Sequence, residues 1–430
     1  MHDIATKKPV KEVQGFWNTL GPGLTTGASD DDPSGIATYS QAGAQYGNQL
    51  VWLAGFTFPF MAVVQEMCAR IGLVTGRGLA ANIRRHYSRP VLMICVTLLF
   101  VANVFNIGVD LGAMAAATQL LIPSMNFLVL ALFFTVISLL LQIFSTYERY
   151  AKYLKYLTLV LFSYILSAFL VHGLDWSAIG RAAFVPSFQN FSKEKLFLIC
   201  AILGTTISPY LFFWQTSQEV EDEILSGNTT LAQRKGATRE EIKKMRIDVW
   251  TGMFFSNAIM FFIIIACAGT LFTNGVTDIK TAADAARALR PLAGEASYLL
   301  FALGIIGTGL LAVPVLAGST AYAVAETFRW RQGLFLKLNQ AYAFYGILII
   351  SMLIGFSLNF FGIDPIKALI YSAIINGMIA PVILVLILSL SSDKKIMGRW
   401  ANGPLTKVFG WGIALLMAFV AVATIAMFFV

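Results

Sequence analysis

The chain has 430 residues, of which 57% are hydrophobic and 13% charged, with mean hydropathy +0.72. A soluble globular domain carries nearer a quarter charged residues, so these values exclude an ordinary soluble fold. The formal charge of +8 is read as an excess of Lys and Arg in cytoplasmic loops rather than a nucleic-acid surface.

The amino-terminal stretch MHDIATKKPVKEVQGFW is polar and has no apolar core. No cleavable signal is expected there, and residues 1–17 read as a cytoplasmic tail. Apolar runs then recur at 18–45, 48–74, 91–121, 126–145, 152–171, 195–218, 248–272, 295–325, 339–357, 366–389 and 405–430. Each is close to the roughly 20 residues a membrane helix needs. Two-residue alternation is missing, so helices and not a barrel are expected. The whole of 18–430 reads as one transmembrane domain.

With the amino terminus inside, the inside segments hold about 24 Lys and Arg and the outside segments about 7. That asymmetry predicts an odd number of spans, an external carboxyl terminus and a multi-pass plasma-membrane protein. The long inside segment at 219–247 reads as a solvated, partly helical loop. Cys68, Cys95, Cys200 and Cys267 lie in or beside apolar runs without a CxxC pair. They are expected to be free thiols.

Two spans are interrupted. The first carries Gly27-Ala-Ser-Asp-Asp-Asp-Pro-Ser-Gly35, and the sixth carries Gly204-Thr-Thr-Ile-Ser-Pro-Tyr210. They stand first in two successive five-span sets, about 18–171 and 195–389, followed by an extra helix at about 405–430. Broken helices at matching positions of two halves point to a transporter site at the bilayer midplane. Five spans is an odd number, so the second set is expected to run inverted.

Proline and glycine open the helix and free carbonyls that a cation can satisfy. The first break offers carbonyls near Ser29 and Asp30 plus carboxylates. The second offers carbonyls near Gly204 and Thr205 plus the hydroxyls of Thr206 and Ser208. An aspartate at mid-membrane costs about 2.5–3.5 kcal/mol on insertion scales. Asp32, directly before the proline, is therefore expected to be deep and to bind positive charge. Asp30 and Asp31 are expected in an aqueous vestibule. For Thr206 and Ser208, bonding back to a carbonyl one turn earlier competes evenly with a ligand role.

Every donor at the breaks is oxygen. His2, His86 and His172 lie in the tail or near helix ends, and no Met or Cys sits in either break. Oxygen donors suit magnesium, calcium and manganese, and few carboxylates with retained water suit magnesium. Sodium would accept the same carbonyls, which leaves a sodium-coupled organic-solute carrier open. An intramembrane aspartyl protease built on Asp32 and Asp110 ranks well below transport. Glu66 and Arg70 are spaced for a local ion pair, and Tyr39, Phe212, Phe213 and Trp214 read as packing residues.

Taken together, Gly21-Pro22-Gly23…Asp32-Pro33-Ser34-Gly35, Gly204-Thr205-Thr206-Ile207-Ser208-Pro209-Tyr210, Asp110 in VDLGA, Asn257 in FFSNAIM and the run GLLAVPVLAGSTAYAVAE resemble the Nramp family of divalent-metal transporters. The resemblance covers nearly the whole chain. It implies an all-α, LeuT-like fold of about eleven helices with two inverted repeats and broken first and sixth helices. It also implies a metal site on Asp32, Ser29, Thr205, Thr206, Ser208 and Gly35. The divalent ion is the substrate; no cofactor, no nucleic acid and a monomer in the bilayer are expected.

The departures from the family pattern matter most. Ser208 stands where the family has its binding methionine, Gly35 where it has asparagine, and Thr205 where it has the alanine that offers a carbonyl. Losing a thioether and an amide, and gaining volume at Gly35, favours a hydrated hard ion, as in the Nramp-related magnesium branch. Tyr210 replaces the family histidine and Ala113 the glutamate after Asp110. A tyrosine, with a pKa near 10, rarely carries protons at neutral pH. Magnesium transport without strong proton coupling is the leading reading, and a proton-coupled manganese or iron carrier is the alternative.

Overall fold

The computed structural model describes residues 21–144, 161–187, 189 and 192–429. The expected tail, the start of the first span and residues 152–160 of the fifth lie outside them. Among the described residues there is no strand. The described residues form fifteen helices of eight residues or more. They are α1 (Pro22–Asp30), α2 (Pro33–Tyr46), α3 (Trp52–Thr75), α4 (Leu79–His86), α5 (Arg89–Leu121), α6 (Phe127–Phe144), α7 (Phe162–Leu170) and α8 (Trp176–Phe184). Then come α9 (Lys193–Thr206), α10 (Pro209–Leu225), α11 (Arg239–Thr270), α12 (Ser297–Phe328), α13 (Tyr342–Ser357), α14 (Pro365–Ser392) and α15 (Pro404–Phe428). Nine stretches of the described residues are long and apolar enough to cross a bilayer. The chain is a multi-pass membrane protein.

Both predicted breaks are present, and their backbones are alike. Asp31 (φ −80°, ψ 52°) leaves the helix and Asp32 is extended (φ −68°, ψ 170°) before Pro33 opens α2. Ile207 (φ −117°, ψ 60°) and Ser208 (φ −81°, ψ 131°) do the same before Pro209 opens α10. A proline pushes the preceding residue out of the α region and is itself well suited to the first helical turn. Pro59, Pro314 and Pro381 sit inside continuous helices instead. Neighbouring helices in a bundle can satisfy the freed groups there.

The segment at 219–247, expected to be a partly helical loop, is helical over most of its length. α10 continues through Leu225 and α11 begins at Arg239, so the loop shrinks to residues 226–238. Thr238 and Glu241 form a reciprocal capping box that starts α11 well before its apolar stretch. The basic run after it is thus helical, outside the apolar window.

α1 and α2 lie along α11, α9 packs on α14, and α5 packs on α12 and α14. The α1–α11 seam is nearly backbone on backbone. A Cβ on Gly27 would fall 2.4 Å from the Gly252 carbonyl oxygen, so only glycine permits this approach. The amino end of α1 is capped from α11 by Asp248, which accepts from the N–H groups of Gly21 (2.7 Å), Gly23 (2.6 Å) and Leu24 (3.1 Å). A carboxylate there complements the positive end of the helix dipole.

Candidate functional site

The first break places Asp32 as the N-cap of α2. Its Oδ1 accepts from the Gly35 N–H (2.8 Å) and from the Ser34 hydroxyl (2.6 Å). Its Oδ2 accepts from the Asn106 amide on α5 (3.1 Å). Asp32 is buried with its neighbours Asp30 and Asp31. This corrects the expectation of an aqueous vestibule for the latter two. They tuck against α11, where the Ser256 hydroxyl lies 2.6 Å from Asp30 Oδ2 and 3.3 Å from Asp31 Oδ1. One hydroxyl proton serves only one of those oxygens at a time.

Asp30 Oδ1 and Asp31 Oδ2 have no hydrogen-bond partner among the described residues. The ion pairs of the described residues involve none of the three aspartates. Buried carboxylates without paired cationic side chains are neutralised either by a proton or by a bound cation. The described residues contain no cluster of three or more His, Cys, Asp or Glu side chains able to hold a metal. Any cation held here would need hydroxyl and carbonyl oxygens beside its carboxylate ligands.

Those oxygens meet around Gly35. A Cβ on Gly35 would lie 3.1 Å from the Thr205 hydroxyl, 3.3 Å from the Tyr39 ring and 3.5 Å from the Asp30 carbonyl oxygen. The first and second breaks thus face each other here. The hydroxyls of Thr205 and Tyr39 are buried against each other and bond to no third group among the described residues. The room expected from glycine at position 35 is not free, because Tyr39 and Thr205 have closed over it. Tyr39, read from sequence as packing, is a wall of the site.

The remaining predicted residues are engaged within their own helices. Ser29 donates its hydroxyl to the Thr25 carbonyl (2.9 Å), and its own carbonyl accepts from the Tyr210 hydroxyl (3.0 Å). Tyr210 thereby ties the second break to the first. Thr206 donates to Ile202 (2.8 Å). Ser208 lies 2.7 Å from the Thr205 carbonyl and 2.8 Å from that of Gly204. Back-bonding holds for both, which uses their protons but leaves oxygen lone pairs. Their own-helix bonds do not join Thr206 or Ser208 to the first break.

Asp110 is buried with both carboxylate oxygens unpartnered among the described residues. Asn257 accepts from Thr57 (2.8 Å) and so joins α11 to α3. The Glu66–Arg70 pair is present at 3.9 Å, but Arg246 is the nearer partner of Glu66 at 2.8 Å. Asn106, Ser256 and Asp248 escaped the sequence reading. Asn103, Asn106 and Asp110 follow helical spacing inside an apolar run, a signal that marks one polar edge of α5.

At the end of the molecule away from Arg84 and Arg85, a cavity of about 560 Å³ is lined by Gln119, Lys280, Asn359 and Asp364 among others. Below it a pocket of about 10 Å³ is walled by Ala37, Ala113, Phe301, Ile305 and Leu369. The two share Ala116, Ala282 and Ile366.

Comparison with known proteins agrees with this architecture. Over 99% of the chain, the fold superposes on 91% of a manganese transporter from Eremococcus coleocola, solved with an aromatic bis-isothiourea compound, at TM-score 0.76 and 18% identity. Mhp1, a nucleobase-cation-symport-1 family transporter, matches at TM-score 0.58 and 14% identity over 95% of this chain and 93% of its own. MhsT in complex with L-phenylalanine matches at 0.55 and 14%, over 95% and 98%. The fold is LeuT-like. The family model described as natural resistance-associated macrophage protein-like matches residues 23–427. The chain belongs to the Nramp family, whose members are membrane transporters and not enzymes.

Proposed function

We propose that this protein is an alternating-access carrier of hydrated hard divalent cations, Mg2+ foremost and Mn2+ as well, without strong proton coupling. The observation that carries the reading is the set of oxygens at the paired breaks. Asp32 is buried at an opened helix, and the Thr205 hydroxyl and the Asp30 backbone carbonyl converge three residues further on, at Gly35. No sulfur or imidazole belongs to this set. Oxygen donors with a single carboxylate suit an ion that keeps part of its water shell. The manganese transporter that shares the fold supports a divalent substrate.

The larger cavity serves as the outer vestibule in this reading. The apolar pocket below it is too small for a hydrated ion and forms the closed outer gate. The ion comes to rest near Asp32, Gly35, the Asp30 carbonyl and Thr205, with Ser29, Thr206 and Ser208 contributing as α1 and α9 move. The excess of Lys and Arg at one end sets a cytoplasmic amino terminus and an external carboxyl terminus in the plasma membrane. One chain contains both breaks, so a monomer suffices.

The test is Mg2+ flux into proteoliposomes with Mn2+ as competitor. Saturable Mg2+ uptake, inhibited by Mn2+ at similar concentration, is the expected result. Uptake of Mn2+ that excludes Mg2+ would favour the proton-coupled manganese or iron carrier instead.

A further inference from the structure

Asp32 is held asymmetrically. Both donors to Oδ1, the Ser34 hydroxyl and the Gly35 N–H, belong to the first turn of α2 and travel with it. Oδ2 receives a single hydrogen bond, the longest of the three at 3.1 Å, and it comes from another helix. That donor is Asn106 on α5, fully buried. Its amide oxygen accepts from the Ser372 hydroxyl on α14 at 2.6 Å. An asparagine amide is rigid and planar, so it cannot turn to follow one partner without disturbing the other. One turn earlier, Asn103 donates to Leu316 (3.1 Å), Ser319 (2.9 Å) and Thr320 (2.8 Å) on α12. α5 is therefore a fixed post between α12, α14 and the first break.

Oδ2 is the oxygen with fewer internal donors and hence the one left to meet an ion. We propose that Asn106 is a positioning residue: it aims Asp32 Oδ2 at the transported ion and passes the placement of α14 to it through Ser372. This rests on the reading of Asp32 as an ion ligand. Asn106 does not itself touch the ion. Its donor holds the free carboxylate in line, and motion of α14 relative to α2 tightens or slackens that hold.

The consequence is directional. Losing the amide leaves Asp32 in place as the cap of α2 but lets Oδ2 wander, so capture of the ion weakens while turnover of the loaded carrier persists. Ser372 has no separate role in this scheme, because it acts only through the amide.

The experiment compares the parent with Asn106→Leu, Ser372→Ala, Ser372→Thr and the double variant Asn106→Leu/Ser372→Ala in Mg2+ flux, with thermal stability in detergent measured alongside. Asn106→Leu, which keeps the branched shape of asparagine and removes its donor and acceptor, is expected to raise KM at least tenfold with Vmax within twofold. Ser372→Ala is expected to raise KM about threefold, and Ser372→Thr, which keeps the hydroxyl, to stay near the parent. The double variant should match Asn106→Leu alone, since interacting sites are not additive. Unchanged KM in Asn106→Leu, or effects that multiply in the double variant, overturns the proposal. If Asn106→Leu does not fold, the two Ser372 variants decide: equal KM in both overturns it. A parent protein that moves no divalent ion sinks the transport reading itself, whereas a transporting parent with an indifferent Asn106 sinks only this one.

Discussion

Asp32 combines two jobs that pull apart in most proteins. As an N-cap it stabilises α2 through Gly35 and Ser34. As a buried carboxylate it supplies, in the proposed carrier, the charge an ion needs. The two are separable by substitution. Asp32→Asn retains a capping oxygen and removes the charge, so we expect a folded protein with uptake near background. Asp32→Ala should also lose uptake and in addition lose about 1 kcal/mol of helix stability. Uptake at the parent rate in either variant would place the site elsewhere. Selectivity belongs to this scale too. Ser208→Met with Gly35→Asn introduces a thioether and an amide at the breaks. The structure adds a condition: Tyr39 and Thr205 must shift by a few tenths of an ångström to admit even the Cβ of the new side chain at position 35. With that shift, Cd2+ and Mn2+ should gain on Mg2+ by about tenfold, a difference of about 1.4 kcal/mol. An unchanged competition series would mean that the identity of these two residues does not set selectivity.

At the scale of the element, α1 is the half-helix with least of its own to hold it. It has nine residues, too few for an isolated helix in water. α11 supplies what α1 lacks, through the glycine seam and through the Asp248 carboxylate on three N–H groups. Thr26 adds a bond to Gln215 on α10 (2.5 Å). Gly27→Ala forces the seam apart and should cost about 1–3 kcal/mol, the range for overpacking. Asp248→Asn keeps the shape and removes the charge, for a loss of about 1–2 kcal/mol at a partly buried helix end. Both are measured by thermal unfolding in detergent, with cysteine labelling at Thr26→Cys as the readout of α1 release. Labelling that stays at the parent rate in both variants would mean that the seam does not hold α1. The breaks at Asp32 and Ser208 were legible in the sequence because proline acts on its immediate neighbour. Asp248 was not, since it caps a helix 225 residues away in the chain. Asn106 was half legible: its helical spacing with Asn103 and Asp110 marks a polar edge, but the partners on α2 and α14 follow only from packing. Burial of Asp30 and Asp31 was misjudged for the same reason, because Ser256 on α11 looks like any serine in an apolar run.

The whole molecule decides what drives the ion. A divalent cation crossing alone moves two charges, and each is worth about 2.3 kcal/mol per 100 mV. An inside-negative potential of 100 mV therefore supplies about 4.6 kcal/mol, enough for accumulation without any second ion. Proton coupling would need groups that load and release along the path. The Tyr210 hydroxyl is instead committed to the Ser29 carbonyl, tying the two breaks together. Ala113 is one of the apolar walls of the narrow pocket and has no proton to offer. Asp110 alone remains on α5. These observations combine into one expectation for proteoliposomes under a potassium diffusion potential. Mg2+ uptake should rise with inside-negative voltage, ignore an imposed pH gradient, and leave a lumenal pH dye unchanged. Lumenal acidification in fixed proportion to Mg2+ entry at zero voltage would show that protons travel with the ion. Asp110→Asn would then be the first variant to examine, because it removes the one acid on α5 while keeping the shape of the helix.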